Sequence, residues 1–507
     1  MLSIAGVGST PVTEQVREQL PVVDDRTRWR AFAVAVAVAS LTILDVSKVN
    51  VGVPAIEDSL GASPTMIQII VAGYILAFGV VLVPAGRFGD LNSRRRMFLF
   101  GLIVFFVASL LCAIAPTVEI LAGARLLQGV AAGLLMPQVF GLIQQLFQGA
   151  ERGRAFGVFG AVIGLSTAFG PTIGGLFVDI GGDDLGWRLI FWMNVPLVVA
   201  LFPFAVKLLP RTQPQTAGSR ELDLVGTALL GLAVLSLMLP FVLTTGRPED
   251  DPARWAWLAV FALTGSTFVW WELRYTRSGR AAIVDFALFR ITSFRNGTLV
   301  AMGFFAAMPA TFLTLTLFLQ MGLGLAAVFS GMVTIPFALM MALSSFLSGR
   351  VVEKYGRGMV VVALVVVMLG FTLVLVSVLT LPAEVVPWAV GLAMGVAGLG
   401  GGAVIAPNQT LALADVPVTS GGVAGSIGQV GQRVGTAVGL AATTAAFYAT
   451  VYAGRNSEAE LLVYQDAYRY AALVVLSFLA LALVVAVTDL RARHSGRMQT
   501  LEPSADD

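Results

Sequence analysis

About fourteen stretches of roughly 20 mostly apolar residues, joined by short polar connections, fill almost all of this 507-residue chain. A helix of that length crosses the hydrocarbon core of a bilayer, where only helices and closed barrels satisfy their own backbone polar groups. Hydrophobic residues make up 57% of the chain and charged residues 12%, with a mean hydropathy of +0.86, so a water-facing surface could not be covered. The predicted spans are 31–53, 65–86, 96–116, 119–143, 153–178, 187–208, 222–244, 255–274, 295–320, 327–349, 358–380, 385–408, 421–450 and 467–490. The first is too long for a secretory signal and follows a polar stretch of about 30 residues. The expectation is an all-α integral membrane protein.

Basic residues orient the spans. With the amino terminus inside, 24 lysines and arginines fall in cytoplasmic segments, while the outer loops hold only Arg188, Arg247, Arg254, Arg455 and Arg469. The positive-inside rule then places both ends in the cytoplasm and favours an even number of spans. Only three basic residues are lysines, a bias that fits a GC-rich bacterial genome and hence the inner membrane of a bacterial cell. The single cysteine, Cys112, lies in an apolar span, and the single histidine, His494, lies in the tail. A disulfide framework, a zinc site and His-based catalysis are therefore not expected, nor is any metal or cofactor. No nucleophile–base pair suggests an enzyme.

A repeated loop adds architecture. Gly86-Arg87-Phe88-Gly89-Asp90-Leu91-Asn92-Ser93-Arg94 recurs, 263 residues later, as Gly349-Arg350-Val351-Val352-Glu353-Lys354-Tyr355-Gly356-Arg357. Both copies share a glycine, an arginine, an acid and a closing arginine, and each follows the second span of its part of the chain. Internal repetition within membrane helices is the layout of secondary transporters, whose two parts rock about a central site.

Several segments together resemble the major facilitator superfamily, in particular its fourteen-span drug:proton antiporter branch. Gly86 through Arg96 is similar to the family's loop between helices 2 and 3, although Leu91 and Ser93 replace the usual Arg and Gly. Ala124-Arg125-Leu126-Leu127-Gln128-Gly129 resembles the basic motif of its fourth helix, and Gly164 through Gly175 the antiporter motif of its fifth. Trp187-Arg188, Phe191 and Asn194-Val195-Pro196 match the start of the sixth helix; Asp45 through Asn50-Val51 and Pro54 match the first, with Lys48 where an apolar residue is usual. The resemblance implies a major facilitator fold of two six-helix halves, 31–208 and 295–490, with two helices inserted in the segment 209–294. Cytoplasmic segments 1–30 and 491–507 flank them.

Charges inside spans carry the functional expectations, because each costs about 2.5–3.5 kcal/mol at a helix centre. Asp45 and Lys48 lie three residues apart and share a helix face, so they can pair, and Lys48 is expected to face the central cavity. Asp45 is the leading proton carrier by elimination, since Asp179, Asp223, Glu272 and Glu384 lie near span ends, with Lys48 as its modulator or a substrate contact; a structural ion pair is the alternative. Arg125 needs an acceptor, for which Asp45 is the natural partner; in the family this arginine is linked to proton transfer. Asp90, Arg94, Glu353 and Arg357 are expected to form a cytoplasmic gate. Gly164, Gly170, Pro171, Gly174 and Gly175 form a small-residue face that favours close helix packing, and in the family their order accompanies export. Asn50, Gln128, Phe312, Gln320 and Arg433 are candidates for the substrate pathway. Arg433 has no acid near it in sequence, leaving a helix terminus, backbone carbonyls or substrate as partner.

The sequence thus reads as a proton-coupled exporter of a small amphiphilic compound, working by alternating access as a monomer. Protons and membrane lipids are the other expected partners, and nucleic acid is not one. A lipid translocator of the same fold and a non-transporting sensor are the alternatives.

Overall fold

The computed structural model describes residues 25–211, 223–244, 251–278, 280, 282–284, 286–325, 327–454 and 460–494. They form helices α1 (Asp25–Leu60), α2 (Pro64–Leu91), α3 (Arg94–Ala113), α4 (Val118–Leu146), α5 (Gly149–Trp192), α6 (Asn194–Leu208), α7 (Leu224–Val242), α8 (Trp257–Arg277), α9 (Thr292–Leu317), the short α10 (Ala327–Met332), α11 (Ile335–Thr380), α12 (Val386–Ala412), α13 (Gly421–Ala453) and α14 (Glu460–His494). Thirteen helical stretches among the described residues are long and apolar enough to cross a membrane. One of them, Phe329–Thr380, has 52 residues, about twice what one crossing needs. It turns back at Gly356, whose φ of 51° belongs to the left-handed region that glycine adopts without a steric cost. Counting it twice gives fourteen crossings, in keeping with the spans read from sequence.

Local chemistry sets the helix starts. The hydroxyls of Ser63, Ser93 and Thr117 accept from the backbone N–H of Met66, Arg96 and Ile120, capping α2, α3 and α4, and the Asp223 carboxylate caps α7 through Gly226. Apolar residues spaced four apart, such as Ile103, Val107 and Leu111 on α3, stay exposed on the outside, where lipid would meet them.

Two large apolar cores divide the bundle. The first is built mainly from residues between Ala31 and Leu209, joined by Leu288, Phe294, Leu413, Val416, Val423 and Ala424, and the second from residues between Val300 and Ala486. They meet where backbones approach closely. A Cβ on Gly349 of α11 would lie 2.5 Å from the Gly153 carbonyl oxygen and 2.7 Å from the Gly157 Cα of α5. Gly86 of α2 meets Gly422 and Ser426 of α13, while Gly425 of α13 packs on Phe140 of α4. Only residues without a side chain allow this contact, and it joins the two bundles at the end that carries Asp90 and Arg94. Helices α7 and α8 pair with each other, and α7 rests against α2 through Met238 at Gly79.

Candidate functional site

The centre of the first bundle holds a closed polar cluster. Asp45 of α1 accepts from Arg125 of α4 at 2.6 Å (Nη1 to Oδ2) and from the Asn194 amide of α6 at 2.7 Å. Lys48 lies 3.4 Å from the same carboxylate and donates to Asn194 Oδ1 at 2.6 Å. Arg125 also donates to Gln128 Oε1 at 2.6 Å and to the Ile70 carbonyl at 3.1 Å. Gln128 and Asn194 both donate to Ser109 of α3, at 2.9 and 3.2 Å. Asp45, Lys48, Gln128 and Asn194 are 0% exposed and Arg125 is 1% exposed. Four helices converge here, so each charge is met by a hydrogen-bonding group rather than by hydrocarbon. Breaking one partner of such a buried pair costs about 3–5 kcal/mol.

Close helix packing holds the Lys48 turn in place. A Cβ on Gly170 of α5 would fall 2.3 Å from the Ser47 Cβ, and one on Gly174 would fall 2.5 Å from the Lys48 carbonyl oxygen. Gly175 faces Val51, while Gly164 points away from α1 to Met341 of α11. The glycine motif thus presses α5 onto α1 and, about two turns earlier at Gly164, onto the second bundle. The side chains of Pro171 and Asn50 lie outside the described residues.

Three sequence expectations need correction. Lys48 does reach Asp45, but it points to Asn194 inside the first bundle and is fully buried, so it does not face a central cavity. Helical spacing fixes that two residues share a face; it does not fix which neighbour that face meets. Gln128 is enclosed in the same cluster and does not line a pathway. Glu353 is exposed and Arg357 turns away from it, to Asp489 of α14 at 2.6 Å and Asn408 of α12 at 2.6 Å.

The other gate residues come together. Arg94 holds Asp90 through Nε at 2.9 Å and Nη2 at 2.7 Å, and Nη2 also donates to the Val418 carbonyl at 2.8 Å. Asp90 accepts from the N–H of Gly422 at 3.3 Å and of Val423 at 3.0 Å, the first turn of α13, where a carboxylate meets the positive end of the helix dipole. Arg152 and Gln144 donate to the Leu413 carbonyl, each at 3.3 Å, just beyond the end of α12. The Arg94–Asp90 pair lies within the first bundle, and the bonds to Val418, Gly422, Val423 and Leu413 cross to the second and close the same end.

Arg433 of α13 lies at the interface of the bundles, its guanidinium 4.5 Å from the Phe78 ring centre of α2. Its Nε has no hydrogen-bond partner, nor do the amide nitrogens of Gln429 and Gln432 on the same helix. Phe312 packs edge-on against Phe337 at 5.0 Å in the second core, and Gln320 lies in a π-helical turn, Phe318–Gly322. Sequence reasoning did not single out Asn194, Ser109 or Asp489 as partners. Asn194 was visible only as part of a motif, and Asp489 closes a pair with a residue 132 positions away, which no local pattern signals. Glu272, taken as a span-end acid, is fully buried and accepts from the Ile283 N–H at 3.2 Å.

Residues 32–440 match the Major Facilitator Superfamily. Over 417 residues the chain is 37% identical to the probable actinorhodin transporter of Streptomyces coelicolor, covering 80% of this chain and 71% of that protein. It is 33% identical over 423 residues to the puromycin resistance protein pur8 of Streptomyces alboniger, covering 81% and 80%. In structure it is similar to the human organic anion transporter MFSD10, with a TM-score of 0.65 at 15% identity over 90% of this chain and 99% of that one. The chain therefore belongs to the major facilitator superfamily and is a multi-pass membrane transporter, not an enzyme, with antibiotic-resistance and export proteins among its relatives.

Proposed function

We propose that the protein is a proton-driven exporter of small amphiphilic molecules in a bacterial inner membrane, with both ends in the cytoplasm. The observation that carries this reading is the wholly buried Asp45–Lys48–Arg125 cluster: ionisable groups this deep in a span are costly and are kept where charge movement is used. Segments 31–208 and 295–490 are the rocking halves, and 209–294 is an inserted helix pair on their flank. The conformation described here is closed at the Asp90 end, which the basic residues assign to the cytoplasm, so it is the outward-directed or occluded stage of alternating access. Release of Asp90 from α13 and of Arg94 from Val418 opens the opposite stage. The relatives named for export and resistance support the outward direction of transport.

The substrate-facing residues are Arg433, Gln429 and Gln432. The Arg433 Nε and the amide nitrogens of Gln429 and Gln432 lack acceptors, so the substrate presents acceptor oxygens to α13 while Phe78 supplies an aromatic wall. The test is transport in proteoliposomes carrying an imposed pH gradient, with puromycin, methylenomycin A, tetracenomycin C and riboflavin, the compounds for which similar proteins are named, as probes. Gradient-dependent accumulation of at least one, abolished by a protonophore, is expected. Absence of any gradient effect, or movement of labelled phospholipid between leaflets instead, would replace this reading with another.

A further inference from the structure

The buried cluster is not electrically balanced. It contains two cations, Arg125 and Lys48, and one carboxylate, Asp45, with the cations on different oxygens of that carboxylate, at 2.6 and 3.4 Å. Among the described residues, the remaining side chains that face Lys48 or its partners are Tyr74 on α2, whose hydroxyl donates to the Thr42 carbonyl, Asn194 on α6, Ser109 and Cys112 on α3, and Gln128 on α4. None of them carries a second negative charge. One surplus positive charge therefore lies out of contact with water, where charge is costly.

Proton exchange can alter that surplus in only two ways, because a guanidinium does not give up its proton in a protein. A proton added to Asp45 would leave two uncompensated cations side by side. A proton lost from Lys48 would leave a neutral amine beside a balanced Arg125–Asp45 pair. That amine could still donate to Asn194 Oδ1, now 2.6 Å away, so no hydrogen bond need be lost. We propose that the transported proton is carried on the Lys48 amine, and that Asp45 stays ionised as the fixed counter-charge of Arg125. The step is heterolysis of one N–H bond. The electron pair stays on Nζ, and the proton passes to water that reaches the cluster when the bundles rock to the opposite stage, with no other reactant. This inference rests on the proton-coupled reading and names the group that performs it.

Arg125, which shares the Asp45 carboxylate with Lys48, provides a route to the other bundle. Arg125 lies 4.4 Å from the Tyr74 ring centre, Tyr74 and Phe78 are 6.3 Å apart, and Arg433 lies 4.5 Å from Phe78. A cation of each bundle thus abuts one aromatic pair on α2. When Lys48 is charged, the like charges at the two ends of that pair oppose closure of α2 on α13; when it is neutral, the opposition weakens.

The two mechanisms part company in Lys48→Arg, which keeps the charge but cannot release it. Puromycin accumulation would be measured in proteoliposomes of wild type, Lys48→Arg and Lys48→Gln, with and without a pH gradient. If Lys48 carries the proton, accumulation falls at least tenfold in both variants and no longer responds to the gradient. A gradient response in Lys48→Arg like that of wild type would return the proton to Asp45 and overturn the proposal. The chain's only lysines are Lys48, Lys207 and Lys354, so a second readout does not depend on a variant that folds or on a known substrate. In protein labelled with 13C at lysine Cε, one of three signals should switch between ammonium and amine positions across the pH range of transport, while the other two stay ammonium. Three signals that all remain ammonium through that range would overturn the proposal even if wild type transports. If wild type shows no gradient response to puromycin, the parent reading suffers and the spectrum alone decides this one.

Discussion

The two copies of the repeated loop share a sequence pattern and use it differently. Both opening glycines, Gly86 and Gly349, lie where the bundles touch, and a Cβ on either would fall within 2.5 Å of an atom across the contact. Both closing arginines are buried. The acids differ. Asp90 is 2% exposed, held by Arg94 and seated on the first turn of α13, whereas Glu353 is exposed and its arginine takes Asp489 from α14. The first loop therefore locks one bundle to the other. The second, through Arg357, ties α11 to α12 and α14 within its own bundle. The repeat preserves the glycine contact and the arginine anchor, while only one copy keeps the acid as an inter-bundle latch.

The largest effect should come from Asp489→Asn. It leaves Arg357 buried without its carboxylate, at a cost of about 3–5 kcal/mol, which thermal unfolding in detergent would register as a clear loss of stability. An unchanged midpoint would mean that Arg357 finds another acid, Glu353 being the obvious one, and the contrast between the copies would dissolve. Asp90→Asn also breaks a buried pair but should cost less, about 1.5–3 kcal/mol, because Arg94 keeps acceptors on Gly141, Gln145 and Val418, and the loss falls on closure. Cysteines introduced near Val418 should then become more accessible to a membrane-impermeant thiol reagent, and turnover should fall more than substrate binding. Unaltered accessibility would remove Asp90 from the gate.

The glycines should behave alike, since they are what the copies have in common. Gly86→Ala and Gly349→Ala each insert a methyl against the facing helix, at about 1–3 kcal/mol, and both should shift the protein toward opening at the Asp90 end in the same labelling experiment. A large effect in one and none in the other would make the contact asymmetric. Smallest of all is Glu353→Gln, an exposed substitution expected to stay within about 0.5 kcal/mol and to leave transport within twofold of wild type. A turnover defect like that of Asp90→Asn would restore Glu353 to the gate.

Charge made much of this legible. Asp45, Lys48 and Arg125 stand out because each interrupts an apolar span, and their meeting follows from the need of a buried cation for an acceptor. The span pattern matches fourteen crossings, and the loop at Gly356 was recognisable because its charges and glycine interrupt the apolar run where the backbone leaves helical geometry. Two things stayed hidden for physical reasons. Asn194 is neutral and raises no alarm in a span, yet it joins Lys48 to Asp45. The side to which Lys48 points depends on how α1 is rotated against α5 and α6, and the glycines that set that rotation are 122 and 126 residues away from Lys48.

Whether the buried cluster couples transport to protons is tested most directly by pH-gradient-driven puromycin uptake in everted membrane vesicles, comparing wild type with Asp45→Asn. The substitution leaves Arg125 and Lys48 facing each other with no carboxylate between them, so the cluster can no longer cycle between charged and balanced states. Wild-type vesicles should accumulate the probe when acidified inside, and Asp45→Asn vesicles with matched protein content should not. Gradient-driven accumulation by Asp45→Asn at the wild-type level would contradict the assignment of proton coupling to this cluster.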